Sequence, residues 1–374
     1  MMSPTINSGI RRAGFLRAIA LCLMFGIAGA RVFAQGSNVE LVGEYSTPGW
    51  LDDVFTTGGY AYVAESDAEP PYIGLRILDV ADPSSPVVRG SYPSLGGYGI
   101  FVANHLAYIV DPGGLVILDV SDPTSPVLLG LRPCYYYLGW GDVCVSSGVA
   151  YVAPVRPASE VGPLDIFDVS DPSSPTLIRS YGWPGGFPSS VCVSGNRAYV
   201  AFGYVGLGIL DVSDPSSPTM LRVYPVYAAG GGLIGVYGVH VLGDLAYLAC
   251  SDLDSLPENE GGLHVVDITD PTSPSLRGAC VTPGHALDVF VSGDLAYVAD
   301  GARMNAQLEM IGYVQIIDVA DPSRPTLIGS FQAPGYALHV HAADDLAYVT
   351  FEAGGLKILR LRNRPSAVPA WKAY

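Results

Sequence analysis

The chain carries little positive charge. Lysine occurs twice, as Lys357 and Lys372, and 19 basic side chains face 35 aspartates and glutamates, which gives a net charge of −16 at pH 7. Phosphate backbones and anionic lipid headgroups bind surfaces that are positively charged. The charge balance therefore argues against nucleic-acid binding and direct membrane binding, and it is compatible with cationic partners.

Cysteine is also sparse. The sequence has six, and five remain once Cys22 of the N-terminal leader is set aside. An odd number does not fit a disulfide scaffold. Cys144 and Cys192 hold equivalent positions in consecutive copies of the repeat described below, so they are the pair to test for a bridge. The sequence leaves open whether they form one.

No apolar run is long enough to span a bilayer. The run at 18–30 has 13 residues, follows Arg11, Arg12 and Arg17, and precedes Val32-Phe33-Ala34, a suitable signal-peptidase site. We predict a secretory signal peptide over residues 1–34 and a location in the periplasm, on the cell surface or outside the cell. Removing the leader takes the net charge to −20.

A short phrase recurs along the rest of the chain. Alanine and tyrosine followed by two mostly apolar residues occur seven times, at intervals of 43 to 51 residues. The tyrosines are Tyr62, Tyr108, Tyr151, Tyr199, Tyr247, Tyr297 and Tyr348. A period of this size, built on strand-forming residues, is typical of a radial or stacked repeat.

The sequence of one repeat predicts four short strands. In the sixth copy these are 286–291, 295–299, 313–319 and 326–331, and turn residues separate the first two strands and the last two. Alternating apolar residues between such turns predict an up-and-down antiparallel sheet. No segment after the leader has a helical period.

The turn before the fourth strand reads Asp-Pro, two mostly hydroxylated residues, then Pro. It starts at Asp82, Asp122, Asp171, Asp214, Asp270 and Asp321. The aspartate and first proline suit a turn, and the second proline removes a ladder donor, which predicts an outer edge strand. We interpret these aspartates as turn residues and not as a carboxylate array.

The two ends of the repeat region complete each other. The seventh copy has a third strand at 356–361 but no fourth, whereas 40–45 matches the fourth-strand pattern with no strands before it. Pairing these segments would remove an exposed sheet edge. We therefore predict an all-β, seven-bladed β-propeller of four-stranded antiparallel blades over residues 35–361, followed by a tail at 362–374. A linear solenoid is the alternative.

The strand phrases resemble those of a known family. Leu78-Asp79-Val80, Leu118-Asp119-Val120, Leu210-Asp211-Val212 and Val266-Asp267-Ile268 each precede an Asp-Pro turn. Together they resemble the LVIVD-repeat family of bacterial secreted and surface proteins, over roughly residues 39–361. The resemblance implies a β-propeller outside the cytoplasm, and it brings no activity or catalytic residues with it.

One position near the start of each predicted first strand is small or polar. Its occupants are Asp53, Gly99, Asp142, Ser190, Gly238, Asp288 and His339. We predict that Asp53, Asp142, Asp288 and His339 converge at the channel mouth and bind a polar ligand or cation. In the alternative interpretation, each aspartate accepts backbone N–H bonds from the adjoining loop. No cofactor is predicted, and no motif supports a divalent cation.

Large side chains precede several of the first strands. They are Trp50, Trp140, Phe187, His285 and Tyr336. Of these, Trp50, Trp140, His285 and Tyr336 are our candidates for the rim of the ligand site, because aromatic faces at a pocket suit sugars or peptides. The same side chains would equally serve to cover the core.

These observations predict a monomeric, secreted or surface-held binding protein without catalytic machinery, which presents its rim to a protein or carbohydrate. The alternative is a metal-dependent or acid-pair-dependent hydrolase or lyase with its site at the axial mouth. No serine or cysteine lies in a nucleophile-elbow context.

Overall fold

Repeated strands form the whole of the described fold. The computed structural model describes residues 38–66, 73–133, 141–154, 162–228, 231–252, 261–305, 309–352 and 354–362. The predicted signal peptide and nearly all of the predicted tail lie outside these ranges. Among the described residues, no helix is long and apolar enough to cross a membrane.

The strands follow one another in short, regular lengths. In chain order they are β1 (Val39–Tyr45), β2 (Trp50–Thr57), β3 (Tyr60–Ser66), β4 (Leu75–Asp79), β5 (Val87–Tyr92), β6 (Gly99–Ala103), β7 (Leu106–Asp111), β8 (Gly114–Asp119), β9 (Val127–Pro133), β10 (Gly141–Ser146), β11 (Val149–Pro154), β12 (Leu164–Asp168), β13 (Thr176–Tyr181), β14 (Ser190–Ser194), β15 (Arg197–Ala201), β16 (Leu207–Asp211), β17 (Thr219–Tyr224), β18 (Val226–Tyr227), β19 (Leu233–Leu242), β20 (Leu245–Ser251), β21 (Gly262–Asp267), β22 (Ser275–Val281), β23 (Asp288–Ser292), β24 (Leu295–Met304), β25 (Met310–Asp318), β26 (Thr326–Pro334), β27 (Ala337–Ala343), β28 (Leu346–Phe351) and β29 (Gly355–Leu361).

Successive strands pair into four-stranded antiparallel sheets. The pairings run through β2–β5, β6–β9, β10–β13, β14–β17, β19–β22 and β23–β26, with β18 added beside β19. β27, β28 and β29 pair in order, and β1 pairs antiparallel with β29. The all-β blades predicted from the sequence are confirmed.

Neighbouring sheets share their apolar cores. Leu75 and Ile77 of β4 pack with Ile100 and Ile109 of the next sheet. Each first strand contacts the next in the order β2, β6, β10, β14, β19, β23, β27, and β27 in turn contacts β2. The core therefore lies between the sheets, as the high apolar content of strands covered on both faces requires.

The Asp-Pro motifs form the predicted turns. Asp82 Oδ1 accepts hydrogen bonds from the backbone N–H of Ser84 at 3.0 Å and its hydroxyl at 2.7 Å, while Ser85 N–H donates to the Asp82 carbonyl at 3.1 Å. The side-chain and backbone donors of Ser84 lower the pKa of Asp82. In the other five turns, Asp Oδ1 accepts the same two hydrogen bonds.

These turns also contact the preceding sheet. A Cβ atom at Gly90 of β5 would overlap the carbonyl oxygen of Pro123, and one at Gly130 of β9 would overlap that of Pro172. Gly43 of β1 lies against Pro83 in the same way. Glycine is thus required where each of these outer strands meets the next Asp-Pro turn.

Every outer strand is irregular at one equivalent place. The ladder shifts by one residue opposite Ile77/Leu78, Ile117/Leu118, Ile166/Phe167, Ile209/Leu210, Val265/Val266 and Ile316/Ile317. The pairing of β1 with β29 has the same shift, between Leu41 and Gly43. A bulge of this kind bends and twists an edge strand, which opposes pairing with another chain.

Charged side chains link β1 to the C-terminal strand. Lys357 Nζ lies 2.5 Å from Glu44 Oε2, and Arg362 lies 3.3 Å from Glu40. Val42 and Tyr45 pack against a buried cluster that contains Leu356. The segment predicted as a fourth strand without partners is therefore the outer strand beside β29.

Candidate functional site

The small or polar position of the first strands joins neighbouring sheets. Each aspartate or serine there accepts a hydrogen bond from a backbone N–H of the next sheet. The bonds are Asp53 Oδ2 to Ile100 N at 2.8 Å, Asp142 Oδ2 to Val191 N at 2.8 Å, Ser190 Oγ to Val239 N at 3.3 Å and Asp288 Oδ2 to Val340 N at 3.0 Å.

The second carboxylate oxygen of Asp53 and of Asp142 is also occupied. Asp53 Oδ1 accepts the Val54 N–H at 2.7 Å, and Asp142 Oδ1 accepts that of Val143 at 2.7 Å. These carboxylates therefore accept backbone N–H bonds, as the alternative interpretation expected. The donors belong to the same strand and to the next sheet, and not to the adjoining loop.

Glycine occupies this position at two places where the next sheet leaves no room for a Cβ atom. A Cβ atom at Gly99 would overlap the Gly141 carbonyl oxygen, and one at Gly238 would lie 2.7 Å from Asp288 Cα. A contact below 3.0 Å leaves no room for a side chain. The glycines at these two positions are thus explained by the close approach of the next sheet.

His339 lies between two of the carboxylates. Its Nδ1 is 3.5 Å from Asp288 Oδ2 and 3.6 Å from Asp53 Oδ1. Burial alone would lower the pKa of His339, but the charges of Asp53, Asp288 and Asp142 outweigh it and raise the pKa to about 10. The imidazole is therefore a cation at neutral pH.

The carboxylates beside His339 have different proton affinities. Burial raises the pKa of Asp53 to about 7, against the opposing charge of His339. Burial also raises the pKa of Asp142. For Asp288, burial is outweighed by the hydrogen bond and charge of His339, so its pKa is lowered. The structure thus brings Asp53, Asp288 and His339 together, with Asp142 within electrostatic reach.

This arrangement has no donor set for a metal ion. Within the described ranges, no group of three or more histidines, cysteines, aspartates or glutamates is arranged to hold one. Each aspartate directs at least one oxygen at a peptide N–H. The lone pairs that would coordinate a cation are partly used in joining the sheets.

A second layer of side chains lies two residues further along each first strand. It consists of Phe55, Phe101, Cys144, Cys192, His240, Phe290 and His341. The rings follow one another, with centroids 5.1 Å apart for Phe101 and Phe55, 4.5 Å for Phe55 and His341, 4.2 Å for His341 and Phe290, and 4.5 Å for Phe290 and His240.

This aromatic layer was not predicted from the sequence, although the side-chain period of two along a strand indicates it. Burial lowers the pKa of both His240 and His341 to about 4, so both are neutral at pH 7. His341 Nδ1 lies 2.7 Å from Thr56 Oγ1. The histidines of this layer are therefore uncharged at pH 7, and the layer lies next to the charged cluster of Asp53, Asp288 and His339.

The cysteines of this layer are free. Cys144 and Cys192 form no disulfide, and Cys250 and Cys280 are free as well. Burial raises the pKa of the Cys144 thiol and brings that of Cys192 to about 11. Thiols in this state are poor nucleophiles. Cys134 lies outside the described residues.

The rim residues lie beside the starts of the first strands. Trp50, Phe187, His285 and Tyr336 are each partly buried, and Trp140 lies outside the described residues. His285 Nδ1 is 3.0 Å from Ser251 Oγ, and burial, helped by Arg303, lowers the pKa of His285 to about 4. Burial raises the pKa of Tyr336 to about 12. A shared ligand site for these side chains stays a prediction.

Two buried carboxylates that the sequence did not single out hold the turns before the first strands. Asp300 is fully buried and accepts bonds from the Thr282 hydroxyl, Gly284 N–H at 2.8 Å and Gln315 Nε2 at 3.1 Å. Burial raises the pKa of Asp300 to about 7. Glu65 similarly accepts a bond from the Thr47 hydroxyl and lies 2.5 Å from Arg76 Nε.

The signal for these carboxylates was the phrase Thr-Pro-Gly followed by a large ring. It occurs as Thr47-Pro48-Gly49-Trp50 and again as Thr282-Pro283-Gly284-His285. The threonine of each donates to the buried carboxylate. Both carboxylates are therefore engaged in hydrogen bonds with the turns that carry Trp50 and His285.

Sequence comparison identifies the repeat. The family described as LVIVD repeat matches residues 48–94, 99–131, 141–182, 185–225, 236–282 and 283–333. These segments make up well over half of the chain. No curated protein matches it.

Solved structures with the same fold are distant in sequence. The Cps50 (Swd1) β-propeller domain of Myceliophteria thermophila has a TM-score of 0.59 and 11% identity, and covers 86% of this chain and 99% of its own. The RRP9 WD40 repeats give 0.58 and 9%, covering 88% and 98%. A protein from Lactobacillus plantarum gives 0.61 and 12%, covering 79% and 88%. The likeness establishes a β-propeller fold and nothing about ligands.

Proposed function

Because the chain belongs to the LVIVD repeat family, we propose that it is a ring-closed, seven-bladed β-propeller that acts outside the cytoplasm as a non-catalytic binding protein. Three observations support the closed ring: β1 pairs with β29, β27 contacts β2, and β1 carries the bulge found in every other outer strand. The blades so counted begin at β2, β6, β10, β14, β19, β23 and β27.

One observation carries the non-catalytic part of this proposal. Asp53, Asp142 and Asp288 are the best candidates for acid–base or metal chemistry. They accept backbone hydrogen bonds that join the blades. A general acid or base must reach the reacting group, and a hard metal ion needs several free oxygen ligands. Carboxylates committed to peptide N–H groups serve neither purpose well.

We place the binding surface on the face where the first strands begin. The turns that hold Trp50, His285 and Tyr336 open on this face, and the links between second and third strands emerge there too. Those links vary strongly in length and composition, as in 65–73, 154–163, 251–262 and 301–312. A regular scaffold with variable loops on one face suits recognition of a protein or carbohydrate.

The net charge of the chain limits the classes of partner that it can bind. A net charge of −16 disfavours nucleic acid and anionic membranes and favours a partner with basic or neutral groups. Export from the cytoplasm is supported by the leader-like N-terminus and by the family resemblance. We propose that the protein works as a monomer.

Metal analysis tests this proposal against the hydrolase or lyase alternative. Protein purified without chelator is assayed for bound metal as the wild type, Asp142→Ala and Asp288→Ala. We expect no stoichiometric metal in any of the three and lower thermal stability in both variants. Stoichiometric metal in the wild type that is lost from the variants would overturn the non-catalytic reading.

A binding screen tests the proposed face. The probes are an array of immobilised oligosaccharides and a lysine-rich peptide, applied to the wild type, Trp50→Ala and the control Tyr60→Ala. Tyr60 is a partly buried aromatic residue at the start of β3, at the opposite end of the blade. Binding that is weakened by Trp50→Ala alone supports the proposed face, whereas equal binding by both variants contradicts it.

A further inference from the structure

The equivalent positions of the first strands connect each blade to the next, and one of these connections differs chemically from the others. Asp53, Asp142, Ser190 and Asp288 each accept a backbone N–H from the following blade. At Gly99 and Gly238 the backbones themselves meet. His339, on β27, instead faces a charged side chain of β2.

We propose that His339 is an ionic latch that holds the last blade against the first, and that the ring opens at this seam when the imidazolium loses its proton. This inference rests on the closed ring proposed above. It assigns to His339 a conformational role that is separate from ligand binding.

The imidazolium of His339 lies close to two carboxylates from different blades. His339 Nδ1 lies 3.6 Å from Asp53 Oδ1 on β2 and 3.5 Å from Asp288 Oδ2 on β23. The imidazolium therefore joins the last blade to the blades on both sides of it. Because its side chain is only 18% exposed, water screens these interactions weakly.

The imidazolium of His339 is the counter-ion for the carboxylates that surround it. Asp142 on β10 adds a third carboxylate to the same electrostatic cluster. His341 on the same strand and His240 on β19 are neutral and contribute no positive charge. Deprotonation of His339 would therefore leave carboxylates facing one another with no counter-ion among these groups.

The backbone at the seam depends on a side chain as well. The ladder between β27 and β28 is irregular between Ala337 and Val340. The His339 N–H donates to Thr350 Oγ1 at 3.2 Å, and the Thr350 hydroxyl lies 3.4 Å from the Asp52 carbonyl of the first blade. Around His339, the last blade thus has a weaker ladder than an ordinary strand pair provides.

The sign of the pH effect follows from the direction of the shift. The folded-state pKa of His339 is raised from 6.5 to about 10, so its stabilising contribution is complete below pH 6.5 and is lost as pH rises through 10. Asp53, with its pKa raised to about 7, becomes charged over part of this range. At pH 6.5 the imidazolium therefore faces an ionised Asp288 and a partly ionised Asp53, and the latch fails in alkali.

Amide hydrogen exchange tests the latch. Protection factors, corrected for the intrinsic effect of pH, are measured at pH 6.5 and at pH 10 for the wild type, His339→Gln and Ser190→Ala. Glutamine keeps a hydrogen-bond donor without the charge. Ser190→Ala is the matched control, because it removes an uncharged connection at the equivalent position between two other blades.

In the wild type we expect protection in β1, β2 and β27–β29 to fall by about tenfold or more between the two pH values, relative to β14–β17. His339→Gln should show the reduced protection at pH 6.5 already and no further selective loss. Ser190→Ala should keep the wild-type response. A uniform response of all blades, or a wild-type response in His339→Gln, would overturn the latch.

The same data separate failure of the latch from failure of the closed ring. An open ring would leave β1 and β29 poorly protected in every protein at both pH values. A closed ring without an ionic latch would keep them protected in every protein with the same pH response. If His339→Gln does not fold, Asp53→Asn replaces it, and the loss of protection should then begin at lower pH; an unchanged midpoint would refute the latch.

Discussion

At the scale of single residues, position along a first strand decides what a polar side chain does. Asp142 bonds Val143 of its own strand and Val191 of the next sheet, and so behaves as part of the backbone network. Ser190 fulfils one of these two roles, and Gly99 fulfils neither because the next strand leaves no space. Glycine at this position therefore marks a place where the next sheet leaves no room for a side chain.

Removing one such connection should be costly. Asp142→Ala leaves the Val191 N–H without its side-chain acceptor, and we expect the free energy of unfolding to fall by about 1–3 kcal/mol. Chemical denaturation measures the change. Asp345→Ala is the control, since Asp345 is 68% exposed and its ion pair with Arg360 should contribute under about 1 kcal/mol. Equal losses in both variants would contradict the proposed connection.

Buried neutral histidines should limit stability in acid. Burial lowers the pKa of His264 from 6.5 to about 4, so the unfolded chain takes up its proton first, and stability is lost as pH falls from 6.5 towards 4. His264→Leu should reduce the pH dependence of the unfolding free energy by about 2 kcal/mol across this range. Thermal unfolding at several pH values measures it, and an unchanged slope would show that His264 does not contribute.

The sequence allowed Asp53, Asp288 and His339 to be predicted as neighbours, because equivalent positions in a radial repeat must converge. It did not allow their hydrogen bonds to be predicted. Whether Asp53 bonds a loop or the next sheet depends on a distance between sheets that the repeat phrase does not encode. Asp300 and Glu65 were missed because no motif surrounds them in the chain, and the Thr-Pro-Gly phrase whose threonine donates to each carboxylate lies 18 residues earlier.

At the scale of elements, the outer strand and the Asp-Pro turn form one structural unit across two repeats. The turn of one sheet packs on a glycine of the preceding outer strand, as Pro123 does on Gly90. The bulge beside that glycine keeps the exposed apolar residues Val87 and Val88 of the same strand, which are 47% and 41% exposed, on an edge that pairs poorly. Turn and strand thus stabilise the boundary between sheets.

This contact predicts a large effect from one methyl group. Gly90→Ala would place its Cβ against the Pro123 carbonyl, and we expect a loss of about 1–3 kcal/mol in the unfolding free energy. Gly182→Ala is the control, because a Cβ there meets nothing within 4 Å and no left-handed φ is required. Chemical denaturation of both variants decides the point, and a neutral Gly90→Ala would contradict the contact.

The turns themselves could be predicted from the sequence, because Asp-Pro followed by hydroxylated residues makes local hydrogen bonds. Their docking on glycine could not, since it joins residues from different repeats. Likewise, the strand at 40–45 could be predicted from its similarity to the other fourth strands. The bulge between Leu41 and Gly43, which it shares with them, became visible only in the register with β29.

At the scale of the whole molecule, the proposed binding face and the proposed latch both require a ring that both termini close. The terminal strands contribute apolar packing through Val42 and Tyr45 and an ion pair between Glu44 and Lys357, and the proposed latch at His339 lies on β27 beside them. A channel mouth with axial residues exists only if the blades return to their start. The proposed binding face and the proposed seam both follow from that closure.

Closure of the ring can be measured directly by a cross-link between β1 and β29, because the chain has only two lysines. Lys357 Nζ lies 2.5 Å from Glu44 Oε2, and Lys372 is the one other lysine of the chain. A zero-length carbodiimide reagent, followed by peptide mass spectrometry, should join Glu44 to Lys357 by an amide bond. Lys357→Arg, which keeps the charge, should abolish that cross-link. Amide links from Lys357 to other carboxylates, with none to Glu44, would contradict the closed ring.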